Sequence, residues 1–346
     1  MERGEELNRS DNKKRGEEIG VRCYNLNGGN TTMANSELRV FYGTSHPALG
    51  KEIVDYLKIK PGELQISRFS GGEIYARIKE NIRGQNAVII QTCSESVNEN
   101  LMELFIIIDA MKRASAQSIT AVIPHFGYAR QDRKAASREP ISARLVANLL
   151  ETAGAERIVC MDLHSDQIQG FFNIPVDTLT ALPLFTNYIK SKNLKDVVVV
   201  APDTGRAKVA KKLADRIGAN LAILHKVRAE HHQSEVTHVV GEVKGKTVII
   251  TDDMIDTAGT ITAGVETLRQ AGCGKEIYVI ATHGILSGPA VERMSKAGFT
   301  EVIVTDSVPI PKEKQFSGLK ILSSATLLGE AIRRNYENQS ITSLFD

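Results

Sequence analysis

Thr247-Val248-Ile249-Ile250-Thr251-Asp252-Asp253-Met254-Ile255-Asp256-Thr257-Ala258-Gly259-Thr260 is the stretch around which the chain is organised. It begins as a β-branched apolar run, the pattern of a short buried strand. Two carboxylates stand where that strand is expected to end. Beyond Thr260, the apolar residues Ile261, Val265 and Leu268 fall at helical spacing. Strand, tight loop and helix together aim backbone N–H groups and the positive end of a helix dipole at the loop. Ala258 and Gly259 are small enough for a phosphate to approach the backbone, and Thr257 and Thr260 can donate hydroxyl hydrogen bonds. Asp252 and Asp253 cannot bind phosphate, so they point to ribose hydroxyls or a metal ion. A capped helix explains Asp256 or Thr257, but not three aspartates within five positions.

Outward from this stretch the chain alternates strands and helices. In the first half, strands are predicted at 38–42, 64–69, 73–78, 87–91, 119–124 and 157–161, with helices opening at Pro47, Asn100 and Pro140. In the second half, strands are predicted at 196–201, 221–225, 277–281 and 301–305, helices at 183–192 and 206–217, and an antiparallel strand at 235–243. Such alternation with short links implies an α/β fold of mainly parallel sheets flanked by helices. Ligands then sit at the carboxyl ends of strands. Residues 1–36 are polar, lack apolar periodicity and are expected to be a disordered extension.

A chain of 346 residues suggests about two domains. The net charge of +2 offers no nucleic-acid surface, and no apolar run is long enough to span a bilayer. The four cysteines form no Cys-x-x-Cys pair, which argues against a zinc cluster or a disulfide framework and fits a reducing cytosol.

Several strand ends carry candidate chemistry. Arg68-Phe69-Ser70-Gly71-Gly72-Glu73 reads as a hairpin, with Phe69 a potential stacking platform for a base and Glu73 a reader of its edge. Arg130, Arg133 and Lys134 after the 119–124 strand suit polyphosphate, the arginines through bidentate contacts. His164 and Asp203 also follow strands; His164 suits a metal or phosphate, and Asp203 a helix cap or a Mg²⁺ site. Lys226 and Arg228 fall on one side of an extended strand and can neutralise developing charge. Gly241 to Thr247 imitates a phosphate-binding P-loop, but it is one residue short and precedes a strand instead of a helix.

Taken in order, Arg68-Phe-Ser-x-Gly-Glu73, Phe126-Gly-Tyr-Ala-Arg-Gln-Asp-Arg133, Asp162-Leu-His-Ser-Asp-Gln-Ile-Gln-Gly-Phe-Phe172 and Asp252-Asp-Met-Ile-Asp256 resemble class I ribose-phosphate pyrophosphokinase, the PRPP synthetase family. The resemblance runs from Leu38 to the end. It implies two tandem phosphoribosyltransferase-type domains, 37–180 on the ATP side and 181–346 on the ribose 5-phosphate side, the final tail packing on the first. It implies diphosphoryl transfer from ATP to the anomeric hydroxyl of ribose 5-phosphate, giving PRPP and AMP for nucleotide biosynthesis. It also implies Mg²⁺, two ions per site with one carried by ATP, and a cytoplasmic homohexamer.

By position, the resemblance assigns Phe69, Gly71, Gly72, Glu73, Arg130 and Gln131 to ATP, and His164 and Asp203 to the metal. Lys226 and Arg228 become the catalytic cations. Arg228, Asp252, Asp253, Asp256, Thr257, Ala258, Gly259 and Thr260 become the sugar-phosphate site. Arg83, Arg113, Ser115, Ser340 and Phe345 fall where the family's ADP-sensitive allosteric site would be. Gly71 stands where the family usually has Asp, Ala258 where it often has Gly, and His225-Lys-Val-Arg228 where it has Asp-Lys-Arg-Arg. An inactive regulatory subunit of a synthetase complex is the alternative reading. The retained cations and the Asp252/Asp253 pair speak against it.

Overall fold

The structure, a computed structural model, describes residues 37–227 and 236–344. The first half contains a five-stranded, wholly parallel sheet in the order β1-β4-β5-β6-β7. Its strands are β1 (Leu38–Tyr42), β4 (Asn86–Ile90), β5 (Ser118–Ile123), β6 (Arg157–Met161) and β7 (Val176–Leu179). β2 (Leu64–Arg68) and β3 (Ile74–Ile78) leave this sheet as a separate antiparallel hairpin. Helices α1 (Pro47–Leu57), α2 (Val97–Arg113) and α3 (Ser142–Ala153) connect the strands.

The second half forms a seven-stranded sheet, β10-β9-β8-β11-β12-β13-β14. These strands are β8 (Val197–Ala201), β9 (Asn220–Val227), β10 (Val236–Val240), β11 (Thr247–Ile255), β12 (Ile277–Gly284), β13 (Glu301–Thr305) and β14 (Leu319–Leu322). Among them only β10 pairs antiparallel. Its helices are α4 (Leu182–Ser191), α5 (Ala207–Ile217), α6 (Gly259–Gln270), α7 (Ala290–Lys296) and α8 (Ala325–Tyr336).

Strand periodicity sorts the side chains into three cores. On β4, Val88 and Ile90 enter a central core while Ala87 and Ile89 enter an outer one. On β11, Ile249 faces the central core and Val248 and Ile250 face a third. Alternation of this kind follows from the two-residue period of a strand, and apolar residues at every position bury both faces. The central core collects α1, α4, α5 and α8 between the two sheets. The outer cores are closed by α2 and α3 on one side and by α6 and α7 on the other.

Two differences from the sequence reading bear on function. β11 continues to Ile255, so Asp252 and Asp253 lie within the strand instead of at its end. The second sheet also reverses its winding between β8 and β11: β9 lies to one side of β8, and β12 and β13 lie beyond β11. Such a reversal parts the loops and opens a crevice at the carboxyl ends of the strands.

Candidate active site

The loop after β8 enters this crevice first. Asp203, extended at φ −159°, accepts the backbone N–H of Arg206 at 3.0 Å and caps the 3-10 turn Thr204–Arg206. The turn sends the Arg206 side chain towards β11. There the guanidinium Nη2 meets Asp253 Oδ2, and Nε stands 3.4 Å from Asp252 Oδ1. Asp253 Oδ2 lies 2.7 Å from His164 Nδ1, and His164 follows β6 of the other sheet. The same guanidinium reaches the His164 carbonyl at 3.4 Å. One arginine therefore joins loops from both sheets.

The surroundings push the two aspartates in opposite directions. Burial and the neighbouring Asp253 carboxylate push the Asp252 carboxyl up from its ordinary value. Burial works against charge on Asp253 as well, but the His164 hydrogen bond and the Arg206 guanidinium outweigh it and hold that carboxyl well below the usual range. The Asp253 side chain is 3% exposed and that of Asp252 18%. A cavity of about 640 Å³ opens beside Arg206, Asp252 and Asp253.

Past Ile255 the chain makes the predicted tight loop. Ala258 takes a left-handed conformation at φ 61°, immediately ahead of α6. Ser287 donates its N–H to the Asp256 carbonyl at 3.0 Å. Arg293, on α7, donates to the Thr257 carbonyl at 2.9 Å. Thr257 and Thr260 remain exposed at the start of a 12-residue helix, a geometry suited to an anion. Asp256 is held by Arg130 Nη1 at 2.5 Å, so the loop after β5 meets the loop after β11 directly.

Around Arg130, Gln131 takes the Ser142 hydroxyl at 2.5 Å and Asp132 takes the Gln167 amide at 3.0 Å. In the hairpin, Gly72 turns at φ 92°, and a side chain at Gly71 would meet open space. Glu73 is exposed. Phe69 is 57% exposed, its ring edge-on to Tyr75 at 5.8 Å. One aromatic face is thus left open at the turn. Arg68 ties this hairpin to α2 through Glu99 at 2.6 Å, not to the acids of the crevice.

The β9 backbone places Lys226 opposite Thr237 of β10; its side chain and the whole of Arg228 lie outside the described residues. Of the residues matched to the allosteric site, Ser115 accepts the N–H of Gly84, next to Arg83, at 2.9 Å. Arg113 pairs with Asp109 on its own helix, and the Ser340 carbonyl accepts from Arg334. Phe345 lies outside the described residues. Among the described residues, no group of three or more His, Cys, Asp or Glu is arranged to hold a metal, and no helix is long and apolar enough to cross a membrane.

The sequence reading missed Arg206 and Arg293. Arg206 had a signal, a cation three residues after a candidate cap in a strand-end loop. Arg293 had none, because α7 is brought to the loop only by the fold.

Two family descriptions match the chain: the N-terminal domain of ribose phosphate pyrophosphokinase over residues 38–154, and the phosphoribosyl synthetase-associated domain over 233–346. The ribose-phosphate pyrophosphokinase of Bacillus caldolyticus is 51% identical over 310 residues, covering 90% of this chain and 98% of that protein. That of Bacillus subtilis (strain 168) is 50% identical over 311 residues, covering 90% and 98%. The crystal structure of phosphoribosylpyrophosphate synthetase from Mycobacterium smegmatis superposes with a TM-score of 0.83 at 48% identity, covering 88% of this chain and 100% of that one.

Proposed function

The chain belongs to the ribose-phosphate pyrophosphokinase family, and on that premise we propose how its residues divide the work. The enzyme transfers the diphosphoryl group of ATP to the anomeric hydroxyl of ribose 5-phosphate, releasing AMP and forming PRPP. The inactive-subunit alternative is not favoured by relatives of this identity.

The observation that carries the assignment of residues is the meeting of a phosphate-type loop, Asp256 to Thr260, with the Arg130 loop through one ion pair. The sugar's 5-phosphate sits on the α6 N-terminus and the Thr257 and Thr260 hydroxyls, with Ala258 and Gly259 allowing close approach. Asp252 and Asp253 face the ribose hydroxyls. Phe69, with Gly71, Gly72 and Glu73, receives the adenine, and Arg130 and Gln131 the polyphosphate. Lys226 and Arg228 neutralise charge on the phosphoryl oxygens as AMP leaves. Transfer of this kind depends on positioning and charge neutralisation more than on covalent help.

His164 and Asp203 fit a sparsely ligated Mg²⁺. When His164 Nδ1–H donates to Asp253, Nε2 keeps its lone pair; His164 and the Asp203 carboxylate would hold the ion. Mg²⁺ bound there, one ion of two with the other carried by ATP, supplies charge neutralisation to the polyphosphate. Arg83, Arg113, Ser115, Ser340 and Phe345 are assigned to a regulatory anion site in a homohexamer. The chain divides into an ATP-side domain, 37–180, and a ribose 5-phosphate-side domain, 181–346. A cytoplasmic location is supported by the free thiols of Cys93, Cys160 and Cys273.

The test is to incubate the pure protein with ATP, Mg²⁺, phosphate and ribose 5-phosphate and to follow AMP and PRPP. Absence of AMP at saturating substrates sinks the reading. Lys226→Ala should lower kcat by about 10³-fold, the order seen when a transition-state cation is lost, with the circular dichroism spectrum unchanged. Near-normal turnover would remove Lys226 from its role.

A further inference from the structure

Arg206 is absorbed by none of the roles above, yet its guanidinium meets three groups of the crevice. It is 14% exposed and touches Asp253, Asp252 and the His164 carbonyl at once. We propose that Arg206 is a positioning residue for sugar binding: by neutralising Asp253 and bracing His164, it holds Asp252 open as the acid that receives the ribose hydroxyls. The inference rests on the assignment of this acid pair to ribose and deepens it, because it makes the two aspartates unequal.

The contacts support that inequality. Asp253 Oδ2 is already shared between His164 and Arg206, and the side chain is almost fully enclosed. A buried carboxylate engaged by two donors has little left to offer a ligand. Asp252 is the more open acid; its Oδ1 takes the N–H of Asp253 at 2.8 Å and the more distant Nε of Arg206. The two acids crowd each other on one strand, and the Arg206 guanidinium stands against both. A guanidinium suits this task better than an ammonium, since its planar fork can address two carboxylates from fixed directions. The capping of Arg206 N–H by Asp203 fixes the base of the fork.

The experiment measures ribose 5-phosphate binding by calorimetry on the full chain, beside steady-state kinetics. In Arg206→Met the Kd for ribose 5-phosphate should rise about tenfold or more, with KM for ATP moving less than about threefold, as expected when one charge-assisted hydrogen bond is misplaced. Arg206→Lys should recover part of the loss. Asp252→Asn should weaken the sugar, and adding Arg206→Met to it should weaken the sugar no further, because Arg206 acts through the acid. Unchanged or tighter sugar binding in folded Arg206→Met overturns the proposal, as does an equal rise in both substrates' constants. If Arg206→Met fails to fold, Arg206→Gln carries the same test, and wild-type affinity there overturns it. Wild-type protein that turns over but binds sugar equally well after Asp252→Asn would remove the ribose assignment itself, a separate failure.

Discussion

At Ala258 three small energies meet. The residue is left-handed at φ 61° and its methyl is buried against the core beneath α6. The left-handed turn costs about 1–2 kcal/mol for a residue with a Cβ. Glycine would remove that strain but lose a buried methyl, about 0.8 kcal/mol, and add about 0.5–1 kcal/mol of unfolded-chain freedom. The terms nearly cancel, so Ala258→Gly should leave unfolding free energy in urea within about 0.5 kcal/mol of the parent. A β-branched side chain is a true outlier at this φ, and Ala258→Val should cost about 2 kcal/mol or more. A costly glycine or a tolerated valine would show the loop to be built otherwise. At this scale the sequence disclosed the kinds of residue at the site but not their ranks. Asp252 and Asp253 look equivalent in the chain; only the fold shows that one is enclosed by His164 and Arg206 and the other is open.

Most strands were legible because their β-branched runs are bounded by turns, and α2, α4 and α5 because their apolar residues recur at helical spacing. β7, β14, α7 and α8 were not. β7 and β14 are four residues each, too short for a periodic signal. β11 was read short because aspartates disfavour strands, a penalty that Arg206 offsets here through tertiary contact. α8 owes its position to packing. It lies against α1, where Tyr56 donates its hydroxyl to Glu330 at 2.8 Å. A Cβ on Gly329 would meet the Tyr56 ring at 2.5 Å. Although glycine weakens an isolated helix, a larger residue here must displace the Tyr56 ring and with it the hydrogen bond to Glu330. Gly329→Val should therefore lower stability by about 1–3 kcal/mol, the usual range for overpacking, seen as a lower thermal midpoint. An unchanged midpoint would mean that α8 does not depend on this contact.

An acid-sensitive pair of histidines lies between the two sheets. His125 and His283 stack edge to face at 4.8 Å, their ring nitrogens engaged by the Cys93 carbonyl and the Ser307 hydroxyl. Burial, and then the proximity of His125, pushes His283 down to about 3 from an ordinary 6.5. Burial lowers His125 as well. Between 6.5 and these depressed values the unfolded chain binds protons that the folded one refuses at these rings, so the histidines' contribution to stability falls as pH drops below 6.5. For His283 this amounts to about 1.4 kcal/mol per pH unit within that window. Asp162 and Asp252, both pushed up by burial, act in the opposite sense above the usual carboxylate range. A variant comparison isolates the histidine: His283→Gln should lose less urea stability between pH 7 and pH 5 than the parent, and an equal loss would clear His283 of the effect. The ion pair between Arg130 and Asp256 has a different kind of consequence. On the proposed assignment, Arg130 cannot turn to a polyphosphate without releasing Asp256, and a sugar phosphate that rearranges Asp256 releases Arg130. With side chains 59% and 30% exposed, such a pair is worth at most about 1 kcal/mol, or roughly a fivefold change in affinity. Thermodynamic linkage makes that factor the same whichever substrate arrives first, so each substrate reports its presence to the other before any bond is made or broken.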